Sequence, residues 1–169
     1  MLANQDDMRA EAGVKAAAGV AATGLVAAGA LHALWVVNPW PLKSAAEFAE
    51  TVVGVTEDQL PSVPLTLGVA ALLGAAGYLV LANGRIARRI GPEKLNRVGL
   101  WTLAGVLAAR GVGGLAASGL ELGAAPEVYR HWDLVLYSPL CLTLAGLTGF
   151  VARRTAARWT RAGEDRGPA

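Results

Sequence analysis

Four stretches of the chain, 14–37, 63–82, 98–120 and 132–152, are apolar nearly throughout and carry almost no charge. A bilayer hydrocarbon core about 30 Å thick takes about 20 helical residues to cross, and each stretch meets that length. A core helix of a soluble domain would show one apolar and one polar face, whereas these runs are apolar almost all round. The alternating dyads of a transmembrane barrel are missing. Only 17% of the residues are charged, against about 25% in soluble domains. The fold class that follows is all-α, a four-helix transmembrane bundle.

The first run is too long for the core of a secretory signal, and its leader carries Asp6, Asp7 and Glu11. It therefore reads as a retained helix behind a cytoplasmic leader, 1–13. The membrane domain spans 14–152, and a basic tail, 153–169, has too little apolar surface to order and is expected to be disordered.

Charge sets the expected orientation. Of fifteen Lys and Arg residues, twelve fall in the leader or just past it (Arg9 and Lys15), in the 83–97 connection or in the tail. Lys43 and Arg130 fall in the other two connections, and Arg110 lies inside the third span. The positive-inside rule places both termini in the cytoplasm, N-in and C-in, with 38–62 and 121–131 outside. The natural location is the inner or plasma membrane of a bacterium. The basic segments are interrupted by Glu93, Glu164 and Asp165 and lack interleaved aromatics. Topology accounts for them, and nucleic acid is not an expected partner.

The acidic 38–62 connection contains a capping-box pattern, with Ser44 as N-cap and Glu47 three residues on. Phe48, Val52 and Val55 follow at helical spacing. The spacing predicts a short amphipathic helix on the outer membrane surface between the first two spans.

Glycines in the first three spans, Gly24, Gly29, Gly74, Gly77, Gly105, Gly111, Gly113 and Gly114, are expected to let helix backbones approach closely. The segment "RGVGG" is no phosphate loop, because no strand precedes it and it opens no helix. Cys141, the sole cysteine, permits no intrachain disulfide and no thiolate metal cluster. It reads as a small packing residue.

Polar side chains at membrane depth remain. A charge there costs on the order of 2.5–3.5 kcal/mol on insertion scales, so Arg110 needs a partner or a wet cavity. Asp133 and Tyr137 lie one turn apart on the fourth span, and Asp133 is the expected partner. His32 and Trp35 share a face near the outward end of the first span, where Asn38-Pro39 ends the helix. One outward-open polar pocket would then draw catalytic candidates from Asp133, His32 and Tyr137. Arg110, Trp35, Asn38 and Ser138 are its ligand-binding candidates. His32, His131 and Asp133 have no metal-ligand spacing, and no metal or cofactor is expected.

Together "HALWVVNPWP" (32–41), "ARGVGG" (109–114) and "DLVLYSPLCLTLA" (133–145) resemble a bacterial domain-of-unknown-function family of small four-helix membrane proteins. The resemblance covers about residues 20–150. It implies a four-span bundle with His32, Arg110, Asp133 and the Tyr137-Ser138-Pro139 turn at the family's characteristic positions, and it implies no activity. Two readings stand at this point. In one, the pocket around Arg110 and Asp133 binds or processes a hydrophobic, lipid-like ligand. In the other, the chain is a structural or accessory membrane subunit, and the polar cluster only fixes helix packing. Membrane lipids, a hydrophobic small molecule, and a membrane-protein partner or a second copy are the partners such a chain admits.

Overall fold

The computed structural model describes residues 2–164, with side chains described for residue 5 and for 8–156. It contains α1 (Leu2–Trp35), α2 (Ala45–Phe48), α3 (Val63–Asn83), α4 (Glu93–Gly119), α5 (Glu127–Trp132) and α6 (Ser138–Glu164). Wider π-turns follow α2 (Ala49–Val53) and join α5 to α6 (Asp133–Tyr137), and a 3-10 turn covers Glu57–Gln59. Among the described residues there is no strand. Met8–Trp35, Val63–Asn83, Glu93–Gly119 and Glu127–Ala156 are long and apolar enough to cross a membrane.

The bundle is built as two antiparallel pairs, α1 with α3 and α4 with α6, joined through α1 against α6. The register of the first pair is legible in its close approaches. A Cβ added at Gly29 would lie 3.0 Å from the Ala70 carbonyl, and one at Gly77 would lie 2.8 Å from Val26 Cγ2. In the second pair a Cβ at Gly111 would lie 2.6 Å from Leu142 Cγ and 3.0 Å from the Ser138 carbonyl. Small residues at these crossings let dispersion act between backbones, the force available where lipid tails are as apolar as leucine. Gly74, Gly105 and Gly113 differ from expectation, since a Cβ at each would meet nothing within 4 Å.

The core is correspondingly fine-grained. Ala17, Ala18, Ala21, Leu25, Val80, Leu100 and Leu107 pack with Leu144, Ala145 and Val151. Many other large aliphatics lie on the outside, with Val20, Leu72, Val106 and Val112 all 60% or more exposed at mid-helix. Water would penalise that distribution, whereas hydrocarbon does not.

Three element boundaries depart from the sequence reading. The fourth membrane helix starts at Glu127, not 132, because Pro126 precedes it with φ −56° and Glu127 sits in its first turn, where a carboxylate favours the helix dipole. At the other end α6 runs on to Glu164 through "ARRTAAR", whose alanines and arginines are strong helix formers. Most of the segment expected to be disordered is therefore helical, and 165–169 lie outside the described residues. The leader is likewise helical from Leu2.

The short helix after Ser44 forms, with a modified cap. Ser44 Oγ accepts from the Glu47 amide at 3.1 Å, and the Glu47 carboxylate accepts from the amide of Lys43, at 3.0 Å, in place of Ser44. Only one α-turn follows before the π-turn and Gly54, whose φ of 81° ends it. The segment does not lie free on a surface. Ala49 is fully buried, and a Cβ on Gly54 would lie 2.8 Å from the Tyr129 ring.

Gly111→Leu is expected to wedge α4 from α6 and cost about 1–3 kcal/mol. Gly113→Leu, facing open space, should cost nothing measurable. Helicity followed through a denaturing-detergent titration of both variants checks the contrast.

Candidate functional site

Arg110, Gly114 and Ser118 stand at i, i+4 and i+8 on α4 and so line one face. Tyr129, Asp133 and Tyr137 repeat the spacing along the α5–α6 rod. Where the two faces meet, the Arg110 guanidinium donates through Nη2 to Asp133 Oδ1 at 2.8 Å. Ser138 Oγ donates to the same oxygen at 3.0 Å, and Ser118 Oγ donates to Oδ2 at 2.7 Å. Arg110 Nη2 also reaches the Tyr129 hydroxyl at 3.1 Å, and Nη1 reaches Ser138 Oγ at 3.4 Å. Gly114 makes room for this crowd: a Cβ there would collide with Ser138 Oγ and Arg110 Nη1 and approach Asp133 Oδ2 to 2.8 Å.

The backbone supports the cluster through the π-turn. The Ser138 amide bonds to the Asp133 carbonyl, five residues back. Pro139 has no amide to offer, and its ring would strike the carbonyl four residues earlier in a regular helix. Widening the preceding turn relieves that clash and brings the Ser138 hydroxyl onto the Asp133 carboxylate.

Burial within the pair is uneven. The Asp133 side chain is 1% exposed, while that of Arg110 is 41% exposed. Both carboxylate oxygens are occupied by protein donors, so Asp133 is neutralised and held in place. Arg110 Nε and one Nη1 proton have no partner among the described residues. The arrangement holds a cation in fixed orientation, with one N–H on Nε and one on Nη1 left over for an anion or a carbonyl oxygen.

The expected Arg110–Asp133 pair thus forms, and Ser138 joins it. Tyr137 lies beside it, its ring 6.0 Å from that of Tyr129, and its hydroxyl donates to the Thr51 carbonyl at 3.2 Å. The segment 49–54 therefore rests across both tyrosines. His32, Trp35 and Asn38 fall into a neighbouring group without a hydrogen bond to the Arg110 cluster among the described residues. His32 Nδ1 pairs with the Ala28 carbonyl at 2.8 Å. Its ring meets Trp35 at a tilt of 54° with centroids 5.1 Å apart, and Trp35 packs in turn on Phe48 at 5.1 Å. Trp35 Nε1 donates to the Trp40 carbonyl at 2.9 Å, and Asn38 Oδ1 accepts from the Trp40 amide at 3.0 Å. That group shapes the chain where it leaves α1.

Ser118 and Tyr129 complete the cluster without having been picked out from the sequence. Ser118 was legible as the residue two turns beyond Arg110. Tyr129 was not, because 121–131 reads as a loop until Glu127 starts the helix.

Fold and site together define a multi-pass, all-helical membrane protein organised around an interhelical arginine–carboxylate cluster. The chain belongs to the family described as "Protein of unknown function (DUF3995)", whose model matches residues 25–148. No curated protein matches the chain. No solved structure matches it either.

Ser118→Ala removes one hydrogen bond between α4 and the π-turn and should cost about 0.6 kcal/mol, at most about 1.7. Arg110→Leu leaves a buried carboxylate unpaired and should cost more, about 3 kcal/mol. Arg110→Leu combined with Asp133→Leu should recover much of that loss. Unfolding midpoints of the three variants in one detergent check the order.

Proposed function

We propose that this protein is a membrane binding protein for a hydrophobic molecule bearing an anionic or carbonyl group, which the unpartnered N–H groups of Arg110 hold. The observation that carries this reading is the asymmetry of the pair. A salt bridge serving only to tie helices gains most when both ions are enclosed, yet here the carboxylate is 1% exposed and the guanidinium is 41% exposed. Asp133, with Ser118 and Ser138, orients Arg110. In this reading Asp133 is a positioning residue, with each of its oxygens accepting from at least one protein donor. Tyr129 holds the outer edge of the guanidinium, and the 49–54 segment, resting on Tyr129 and Tyr137, covers the cluster from the helix ends. A ligand of lipid character reaches such a site laterally, between helices, from the bilayer.

The opposing reading, a structural subunit with a packing cluster, draws on the three protein donors that hold Asp133. The two separate in one experiment. Wild type and Arg110→Gln, purified in mild detergent, are extracted and compared by lipid mass spectrometry. Binding predicts a defined species enriched with wild type and lost from a variant that is still folded. No enriched species, with the variant merely less stable, would leave the packing role alone.

The same reading puts the site toward the outside of the cell membrane, with both termini in the cytoplasm, as the bias of basic residues favours. Because Cys141 is the sole cysteine, a Cys141→Ala chain carrying Glu57→Cys or Arg88→Cys reports sidedness. An impermeant thiol reagent added to intact cells should label the first and spare the second.

A further inference from the structure

At the opposite end of the bundle from the Arg110 cluster, a groove of about 710 Å³ runs between α4 and α6, lined by Trp101, Gly146, Gly149, Phe150, Arg153 and Arg154. The α6 residues 146, 149, 150 and 153 fall at i, i+3, i+4 and i+7, one face of the helix. From Gly146 to Arg153 that face extends about 10 Å along the axis at 1.5 Å per residue. Its inner part is floored by glycines where an added Cβ would meet nothing within 4 Å. Exposed Trp101 and Phe150 wall it, and two exposed arginines stand at its mouth. Neither arginine forms an ion pair with a carboxylate among the described residues. Arg154 lies over the Phe150 ring at 5.3 Å, which uses one face of its guanidinium and leaves the N–H edge free.

We infer that this groove is a binding site for an anionic glycerophospholipid, with Arg153 and Arg154 on the phosphate and the first methylenes of an acyl chain along Gly146 and Gly149 between Trp101 and Phe150. Charge selects the occupant. Two adjacent cations without a described counter-ion favour a headgroup of net negative charge over a zwitterion, whose own ammonium would meet them. The apolar floor selects a lipid over free phosphate, which would gain nothing from the aromatic walls. The site is independent of the Arg110 cluster and shares no residue with it.

Native mass spectrometry of the purified full chain, titrated with phosphatidylglycerol or phosphatidylcholine, tests the assignment. Wild type should retain phosphatidylglycerol preferentially, and excess inorganic phosphate should not displace it. Arg153→Gln with Arg154→Gln should weaken phosphatidylglycerol binding about 30-fold, the product of two interfacial cations, while phosphatidylcholine is unaffected. Gly149→Leu fills open space, so it should preserve the fold and abolish retention of either lipid. Arg110→Gln should leave the phosphatidylglycerol adduct intact, which separates this site from the one proposed above. Equal retention of the two lipids by wild type, displacement by phosphate, or unchanged binding in Gly149→Leu would each overturn the inference.

Discussion

The structure turns on supplying one buried carboxylate with hydrogen-bond donors. Asp133 lies where water is scarce, and an unpaired charge there would cost several kcal/mol. Three donors from two helical rods meet that demand: Arg110 and Ser118 from α4, and Ser138 from the turn that follows Asp133 itself. The requirement explains features that would otherwise be unrelated. Gly114 has no side chain because the donors occupy its space. The π-turn exists because Pro139 interrupts the regular ladder, and its consequence is that Ser138 faces back onto the carboxylate. α4 and α6 are consequently held in one register, with 118 opposite 133, 114 opposite 138 and 111 opposite 142.

Around this polar joint the rest of the bundle coheres by close approach. Alanine and glycine line much of the α1–α3 and α1–α6 contacts beside a few buried leucines and valines, and other leucines and valines are turned outward to the hydrocarbon. Backbones that touch gain many small dispersion contacts, which is the main resource left when burying an apolar side chain from lipid yields nothing. The 38–62 connection then works as more than a link. Its Trp35–Phe48 contact, its carbonyl on Tyr137 and its Gly54 on Tyr129 fasten it over the end of the bundle that holds the ion pair.

Much of this was legible from residue order because membrane insertion imposes simple rules. Length and hydropathy alone mark the spans, and the cost of an intramembrane charge makes a partner for Arg110 obligatory, with Asp133 the only carboxylate at comparable depth. Ser138 enters through the resemblance, as part of the Tyr137-Ser138-Pro139 turn. The misses share one cause. Helix ends depend on capping and local propensity, which hydropathy does not report, so residues 127–131 read as loop and Tyr129 is lost with them. The glycines show the same limit: Gly111 and Gly113 look alike in sequence, yet one faces Leu142 and the other faces outward.

Sequence by itself determined the membrane-spanning, all-helical class, the number of spans and the need for an arginine–aspartate pair. Each follows from transfer free energy, which is a property of residues summed along a segment. Only the tertiary structure decided which faces meet. It kept His32, Trp35 and Asn38 in a group apart from Arg110, brought in Ser118 and Tyr129, and left one partner of the ion pair buried and the other half open. Those outcomes depend on helix rotation, and rotation is set by the packing of neighbours distant in the chain.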